Sequence, residues 1–316
     1  DKARYAHDGL RRQRLDTPYV RNKEVRLEKA SWDDAFAAIA GQLKKAKAAG
    51  TAAIIVDQVD AETIFAMKSL MDKIGSVHMD CRQDGAKLTA KARASYLFNS
   101  TIEGCDEADE ILIVCSNPRI EAPVMNARIR RNHFLNDVAI AHIGESADLT
   151  YPVSHLGDEI AVLDEIAAGT HPFAKTLANA KKPMIILGMG ALRRADGAAI
   201  LGRAKQIADD TGMVTSDWNG FNVLHVAASR VAGLDLGFVP GKGGYDVDAM
   251  VKHAEAGDIK LLWLLGADEV PTTSLDKTFV VYQGHHGDKG ASVADVILPG
   301  AAYTEKDGTY VNFEGR

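Results

Sequence analysis

A thiol and a guanidinium stand next to each other at Cys81 and Arg82, within a stretch that runs from residue 77 to residue 85. Such a loop binds a metal ion only if it presents a soft or deprotonated ligand in a tight turn. After Arg82 the chain offers Asp84 and a glycine rather than a second soft ligand. We therefore interpret Cys81 as a semi-buried thiol at the end of a strand.

Glycine turns form a second group of candidate binding elements. Gly188 and Gly190 follow an apolar run, and Arg193 and Arg194 come shortly afterwards, where they could meet a phosphate. The third glycine of the dinucleotide-binding fingerprint is missing, so a tight turn into a helix explains these glycines more simply. Residues 215–244 are also rich in glycine and could form a small-molecule-binding loop or a surface loop.

Histidines form a third group. His142 and His155 stand alone, without the spacing of metal ligands, and are predicted to be ordinary hydrogen-bonded side chains. His285 and His286 lie in a polar loop, residues 283–290, between two apolar runs. Ligands commonly sit at such strand ends in an open parallel sheet.

Composition limits the classes of function. The chain has 316 residues, 46% of them apolar, and a net charge of −6. This charge argues against nucleic-acid binding, which requires a basic surface. No run approaches the roughly 20 apolar residues of a membrane span, and the first residues do not resemble a signal peptide. The three cysteines, Cys81, Cys105 and Cys115, lack paired spacing, which fits a reducing compartment.

Short apolar runs alternate with amphipathic segments along the chain. Ser31 is predicted to cap a helix from Trp32 to about Ala48, and residues 158–180 are predicted to be helical. The Asp307-Gly308 turn is predicted to lead into an aromatic strand at residues 309–312. Buried strands are predicted close to residues 52–56, 107–115, 138–144, 183–188, 259–265, 279–282 and 294–298. The alternation indicates an α/β fold with parallel sheets and right-handed crossovers.

Four segments together resemble the molybdopterin oxidoreductase family, which includes formate dehydrogenases and nitrate reductases. They are residues 31–35, residues 108–130, the segment beginning at Gly257, and the closing motif at residues 294–312. The chain is most similar to the branch found in the large iron-sulfur subunit of respiratory NADH:quinone oxidoreductase (complex I). The resemblance covers nearly the whole chain.

The resemblance implies interleaved, Rossmann-like domains. Residues 31–80 and 257–316 would form one discontinuous α/β domain, and residues 81–256 would form an inserted α/β domain. Residues 1–30 would be a connecting segment from a missing iron-sulfur domain. The basic cluster of Arg11, Arg12 and Arg14 would face acidic groups of that absent domain.

The resemblance also bears on cofactors. In active members the loop near residues 84–86 supplies a Cys, selenocysteine or Ser to the metal, whereas this chain has Asp84, Gly85 and Ala86. Asn117 would be a remnant contact to the pterin nucleotide, although capping of its own helix explains it equally well. We therefore predict that molybdopterin is absent and that the segment has no catalytic, cofactor-binding or metal-binding residues. Iron-sulfur clusters are expected only in the missing upstream domain.

The favoured function is a non-catalytic structural portion of the large iron-sulfur subunit, containing a degenerate molybdopterin-binding domain. Its partners would be other peripheral-arm subunits of the respiratory complex, with no nucleic acid and no direct membrane insertion. Its location would be the cytoplasmic side of a bacterial inner membrane, or the matrix side in mitochondria. Two alternatives are a fragment of an active molybdopterin-dependent oxidoreductase and a small-molecule-binding α/β module.

Overall fold

The computed structural model describes residues 9–10, 12–271, 275–287 and 289–316. Strands and helices alternate along these residues, as the sequence pattern predicts. The strands are β1 (Tyr19–Arg21), β2 (Leu27–Lys29), β3 (Thr51–Ile55), β4 (His78–Asp80), β5 (Glu110–Val114), β6 (Ala139–Ile143), β7 (Ser154–Gly157), β8 (Pro183–Gly188), β9 (Phe221–Leu224), β10 (Leu261–Leu265), β11 (Phe279–Gly284) and β12 (Val296–Pro299). The helices are α1 (Trp32–Ala46), α2 (Ala61–Ile74), α3 (Thr101–Gly104), α4 (Pro118–Glu121), α5 (Pro123–Asn136), α6 (Ala161–Ala167), α7 (Pro172–Asn179), α8 (Met189–Leu192), α9 (Gly197–Asp210), α10 (Arg230–Asp235), α11 (Val247–Ala256) and α12 (Lys289–Val293).

The first compact unit comprises the chain up to Gly85 together with Ala232–Tyr310. Within its described residues, seven strands form a sheet in the order β2-β1-β12-β11-β10-β3-β4. The strands from β12 to β4 pair in parallel, and β1 and β2 add an antiparallel edge. Strands β3 and β10 are buried along their whole length, which is typical of parallel strands with both faces covered. The core contains Ile54, Leu264 and Tyr282.

The second compact unit comprises Ala86–Val231 and Val311–Arg316. Its described strands form a five-stranded parallel sheet in the order β7-β6-β5-β8-β9. The central strands β5 and β8 are fully buried, and Ile113, Ile186 and Met125 lie in the core between sheet and helices. A mixed α/β architecture with parallel sheets is therefore confirmed.

The boundaries of the two units differ from the sequence-based division. The chain leaves the first unit after Gly85 and returns to it at Ala232, whereas the sequence placed these transitions at residues 81 and 257. The difference arises because α11, which precedes residue 257, packs in the core of the first unit through Met250 and Ala254.

Residues 1–30 differ most from expectation. Although residues 1–8 and Arg11 lie outside the described part, residues 19–29 form β1 and β2, and Tyr19 pairs with Ile297 of β12. Arg14 forms a bidentate pair with Glu305, with nitrogen–oxygen distances of 2.8 and 2.5 Å. Arg14 is thus paired within the first unit, whereas the sequence analysis placed it against acidic groups of an absent domain. Three-residue strands are too short to show a hydrophobic period.

Other predicted elements are confirmed or corrected in detail. The Ser31 hydroxyl accepts a hydrogen bond from the Asp34 amide at 3.1 Å, which confirms the predicted cap of α1. Residues 158–180 form two helices rather than one, because Gly169 adopts a φ of 72° between them. The segment 215–244 contains a buried strand, β9, that the glycine content concealed.

The predicted aromatic strand at residues 309–312 does not form. Instead, Thr309 donates its amide and hydroxyl to the Glu62 carboxylate at 2.9 and 2.7 Å, and its carbonyl accepts the Ala61 amide. The backbone groups that a strand would use therefore bind to the first turn of α2.

The Glu110 carboxyl lies buried at the start of β5, and one of its oxygens has no hydrogen-bond partner. Burial, with a smaller contribution from Asp109, raises the pKa of Glu110 to about 7. Since the folded chain binds this proton more tightly than the unfolded chain, stability falls as the pH rises from about 4.5 to about 7.

We expect Glu110→Gln to raise the free energy of unfolding by about 1–2 kcal/mol at pH 8 and by little at pH 5. Urea unfolding at both pH values measures the difference. Glu165→Gln, at an exposed position, is the matched control. An equal effect of Glu110→Gln at the two pH values would contradict this explanation.

Candidate functional site

The second unit has a topological switch point between β5 and β8. From β5 the chain proceeds to β6 and β7 on one side, and then continues with β8 and β9 on the other side. Open parallel sheets usually bind ligands at the carboxyl ends of the two strands that flank such a point. Here those ends carry Cys115, Ser116 and Asn117 after β5, and Gly188 and Gly190 at β8. The fold therefore brings together two of the turns that the sequence singled out.

The two turns pack directly against each other. A methyl group on Gly190 would lie 2.7 Å from the Cys115 carbonyl oxygen. A methyl group on Gly188 would overlap the same oxygen and lie 2.6 Å from the Ser116 Cβ. The glycines are needed for this close backbone approach, because neither has a positive φ. The β5 and β8 turns are therefore in direct backbone contact.

The Glu121 side chain, from the same unit, accepts the hydrogen bonds of the polar donors at the end of β5. The Glu121 carboxylate accepts hydrogen bonds from the Ser116 hydroxyl at 2.9 Å and from the Asn117 amide at 3.0 Å. A hydroxyl and an amide at the start of a helix are the donors that commonly bind a phosphate. Glu121 thus occupies two donors of the kind that bind a phosphate.

Asn117 does not behave as a helix cap. Its side chain makes no capping hydrogen bond to α4, so the capping interpretation is wrong. The Asn117 carbonyl accepts the amides of Ile120 and Glu121, both at 2.9 Å. Its side-chain oxygen is buried without a hydrogen-bond partner. The Asn117 carbonyl therefore fixes the turn through its backbone hydrogen bonds, whereas the side-chain oxygen Oδ1 makes none.

The charges near Cys115 do not activate its thiol. Burial raises the pKa of Cys115, and the opposing effect of Arg194 is smaller. Arg194 forms a bidentate pair with Asp196, at 2.8 and 3.0 Å. The guanidinium that could have met a phosphate is thus bound to a neighbouring carboxylate, and the thiol stays protonated at neutral pH.

The loop after β4 in the first unit contains the adjacent thiol and guanidinium that the sequence singled out. Cys81 directly follows β4 and is 2% exposed. The Arg82 guanidinium binds both carboxylate oxygens of Asp80, at 2.8 and 2.7 Å. Asp80 itself is 1% exposed. The Asp80–Arg82 pair therefore fixes the loop, and Arg82 is held by a carboxylate of its own strand.

Gln83 connects this loop to two acidic side chains at the same edge of the first sheet. Its amide nitrogen lies 3.3 Å from an Asp57 oxygen and 2.9 Å from a Glu269 oxygen. Two side chains of the loop after β4, those of Arg82 and Gln83, thus make their hydrogen bonds to carboxylates of the first unit.

The histidines that the sequence left without a metal role make ordinary hydrogen bonds, as predicted. Nε2 of His142 lies 3.1 Å from the Ser116 carbonyl oxygen, and Nε2 of His155 lies 2.9 Å from that of Gly144. His285 and His286 contact each other, with 2.5 Å between their Nδ1 atoms. Within the residues that the structure describes, no group of three or more His, Cys, Asp or Glu side chains is placed to hold a metal ion.

The sequence of this chain matches known proteins along almost its whole length. The family model for molybdopterin oxidoreductases matches residues 14–316. The chain belongs to the molybdopterin oxidoreductase family. Within this family, the curated relatives that it resembles include the G subunit of NADH-quinone oxidoreductase from Rickettsia bellii and from Rickettsia prowazekii, which are 44% and 43% identical over 316 residues. The alignment covers the whole chain but only 45% of either relative.

Solved structures of low sequence identity share the fold. Acetylene hydratase from Pelobacter acetylenicus has a TM-score of 0.66 at 11% identity, covering 95% of this chain and 57% of that one. A chain of the formyltransferase/hydrolase complex from Methylorubrum extorquens has a TM-score of 0.59 at 15% identity, covering 94% and 90%. In the described part of this molybdopterin oxidoreductase family member, no helix is long and apolar enough to cross a membrane.

The loop after β4 in the first unit and the turn after β5 in the second unit, each taken by itself, differ from what the family resemblance assigns to a molybdopterin-binding protein. The loop after β4 presents Asp84 and Gly85 where the family resemblance places a soft metal ligand. At the end of β5, Glu121 occupies the donors that a phosphate would use. The sequence pattern indicated Asn117 as a contact to the pterin nucleotide. The side chain that binds the donors at the end of β5 is instead that of Glu121. In the sequence Glu121 is an ordinary first-turn acid four residues after Asn117, and its contact with the two donors depends on the backbone path after β5.

Proposed function

We propose that this chain is a non-catalytic structural portion of the large iron-sulfur subunit of an NADH-quinone oxidoreductase. The observation that carries the proposal is the 44% identity to the Rickettsia bellii relative, which extends over all 316 residues. The aligned region includes both compact units and the closing segment, so the similarity concerns the whole folded chain.

The absence of a cofactor is part of the proposal. The internal Glu121 carboxylate supports it, because it takes up the Ser116 hydroxyl and the Asn117 amide, which are donors of the kind that bind a phosphate. Two of the three thiols support it as well. Cys81 and Cys105 are buried, and burial raises the pKa of Cys105 to about 12. Iron-sulfur clusters would belong to the part of the protein outside this chain.

The proposed partners are other subunits of the peripheral arm. A net charge of −6 fits a protein that associates with proteins rather than with nucleic acid. The proposed location is the cytoplasmic face of a bacterial inner membrane, or the matrix face if the protein is mitochondrial. Attachment would be through partner subunits, without insertion of this chain into the bilayer.

The proposal is tested by purifying the full-length protein from its own cells through an affinity tag. We expect it to co-purify with the other subunits of NADH-quinone oxidoreductase and to migrate with NADH dehydrogenase activity in a native gel. Recovery of the protein alone, or with an unrelated reductase, would contradict the assembly role. The molybdenum and tungsten content of the same preparation separately tests the proposal that no molybdopterin is bound.

A further inference from the structure

The polar loop after β11 holds a segment from the beginning of the described chain. The Leu15 amide and Nε of the Arg14 side chain both donate to the His285 carbonyl oxygen, at 3.0 and 3.1 Å. Arg14 also forms an antiparallel β-bridge with His286. The Gly9 carbonyl oxygen lies 3.0 Å from Nε2 of the His286 ring. The chain before β1 is therefore attached to this loop within the first unit.

The two imidazole rings of this loop have room for one proton between them. The Nδ1 atoms of His285 and His286 are 2.5 Å apart. A carbonyl oxygen can only accept, so the contact with Gly9 assigns a proton to Nε2 of His286. When His286 is neutral, its Nδ1 has no proton and accepts the hydrogen bond that Nδ1 of His285 donates. If both rings were protonated, two N–H groups would point at each other, and the rings would have to separate.

An open cavity gives the His286 ring room to leave the pair. The cavity has a volume of about 590 Å³ and is lined by His286 together with Gly9, Leu10, Arg12 and Gln13. The ring can therefore turn toward solvent without repacking the core of the unit. Such a turn takes Nε2 away from the Gly9 carbonyl oxygen, so separation of the rings also removes the attachment at Gly9.

Burial and nearby charges at His285 oppose a second proton on the pair. Burial lowers the pKa of His285, and the smaller effects of His286, Arg14 and Lys306 act in the same direction. The Glu305 carboxylate acts in the opposite direction, but it is bound to Arg14 and does not outweigh the others. Because of the lowered pKa, the folded chain binds this proton less tightly than the unfolded chain does. The contacts of the pair are therefore expected to weaken as the pH falls below about 6.5.

Other charged groups around the loop do not reverse this direction. Arg12 lines the same cavity as His286, and Lys289 begins α12 just beyond the loop, so both add positive charge. The Asp268 carboxylate, which follows β10, accepts the Tyr282 hydroxyl at 2.7 Å. Asp268 thus binds a neutral hydroxyl of β11 rather than an imidazole proton.

We propose that the His285–His286 pair is a proton-operated latch for residues 9–10 and 12–15, which we call the docked segment. With no more than one positive charge on the pair, the rings stay in contact and the docked segment stays on the loop. Protonation of both rings from solvent separates them and frees the docked segment at Gly9. The inference concerns the first unit alone and does not depend on the proposed function.

The experiment is hydrogen exchange of the full-length protein at pH 7.5 and pH 5.0, measured on peptides that cover the docked segment. Each exchange rate is compared with that of the same sequence as an unstructured peptide, which removes the intrinsic effect of pH. We expect this protection to fall at least tenfold from pH 7.5 to pH 5.0. Peptides that cover β10 and β11 report on the rest of the unit and should keep their protection.

Two variants prevent the double protonation but keep a hydrogen-bond donor in place. His285→Asn puts an amide nitrogen at the position of Nδ1, and His286→Gln puts one at the position of Nε2. Neither new side chain titrates, so we expect at least one variant to keep the docked segment protected to within about threefold at both pH values. His155→Asn, in the second unit, is the matched control and should show the wild-type loss at pH 5.0.

The same data can overturn the inference in three ways. Equal protection of the wild-type docked segment at the two pH values would show that no latch opens. A parallel loss of protection in β10 and β11 would show acid unfolding of the whole unit instead of a local release. If neither His285→Asn nor His286→Gln keeps the docked segment protected at both pH values, the two rings do not act through their protons.

Discussion

Gly188→Ala is expected to lower the free energy of unfolding of the second unit by about 3 kcal/mol, at the upper end of the usual cost of overpacking. The added methyl group would overlap the Cys115 carbonyl oxygen, which belongs to the backbone and therefore cannot rotate away. Cys115 is already held at a φ of 46°, so its peptide has little freedom to move aside. The loss is measured by chemical unfolding followed by circular dichroism.

Gly202→Ala is the matched control for this prediction. Gly202 lies in the interior of α9, and nothing is within 4 Å of the position that its Cβ would occupy. We expect this change to stabilise the protein by about 0.5–1 kcal/mol, because alanine is the better helix former. Similar effects of Gly188→Ala and Gly202→Ala would show that the β5 and β8 turns are not in firm contact.

Arg82→Met is expected to have the largest effect, a loss of about 3–5 kcal/mol in the free energy of unfolding, because it leaves a buried carboxylate without its charged partner. Asp80 is 1% exposed, and the Arg82 guanidinium binds both of its oxygens. The remaining Asp80 charge could not reach water without disturbing the end of β4. The measurement is urea unfolding at neutral pH.

Two controls identify the cause of that loss. Arg119→Met breaks an exposed pair with Asp148 and should cost less than about 1 kcal/mol. Arg82→Met combined with Asp80→Asn removes the buried charge together with its partner and should recover most of the stability. If the double variant is as unstable as Arg82→Met alone, packing of the arginine stem rather than charge pairing would account for the loss.

Much of the fold could be predicted from the sequence because its strands are continuous apolar runs. The runs at residues 52–56 and 279–282 correspond to β3 and β11, and Ser31 caps α1 through its hydroxyl. The strands β1 and β2 escaped detection because they are three residues long and lie at the edge of a sheet. Edge pairing depends on a distant partner, β12, which no local pattern reveals.

The site was harder to predict than the fold. The sequence drew attention to Asn117 as a nucleotide contact or a cap, yet the side chain that occupies the neighbouring donors is that of Glu121. A carboxylate in this position looks like an ordinary first-turn acid in the sequence. Its role follows only from the backbone path after β5, which turns the Ser116 hydroxyl and the Asn117 amide toward it.

The central claim is that this chain keeps the fold of its family without the cofactor. The most direct test is the molybdenum and tungsten content of the intact, co-purified complex, measured by mass spectrometry and normalised to this chain. A molybdenum enzyme purified from the same cells shows that the metal was available. We predict no molybdenum or tungsten above background and no pterin nucleotide released by acid. One metal atom per chain, accompanied by a released pterin nucleotide, would contradict the account.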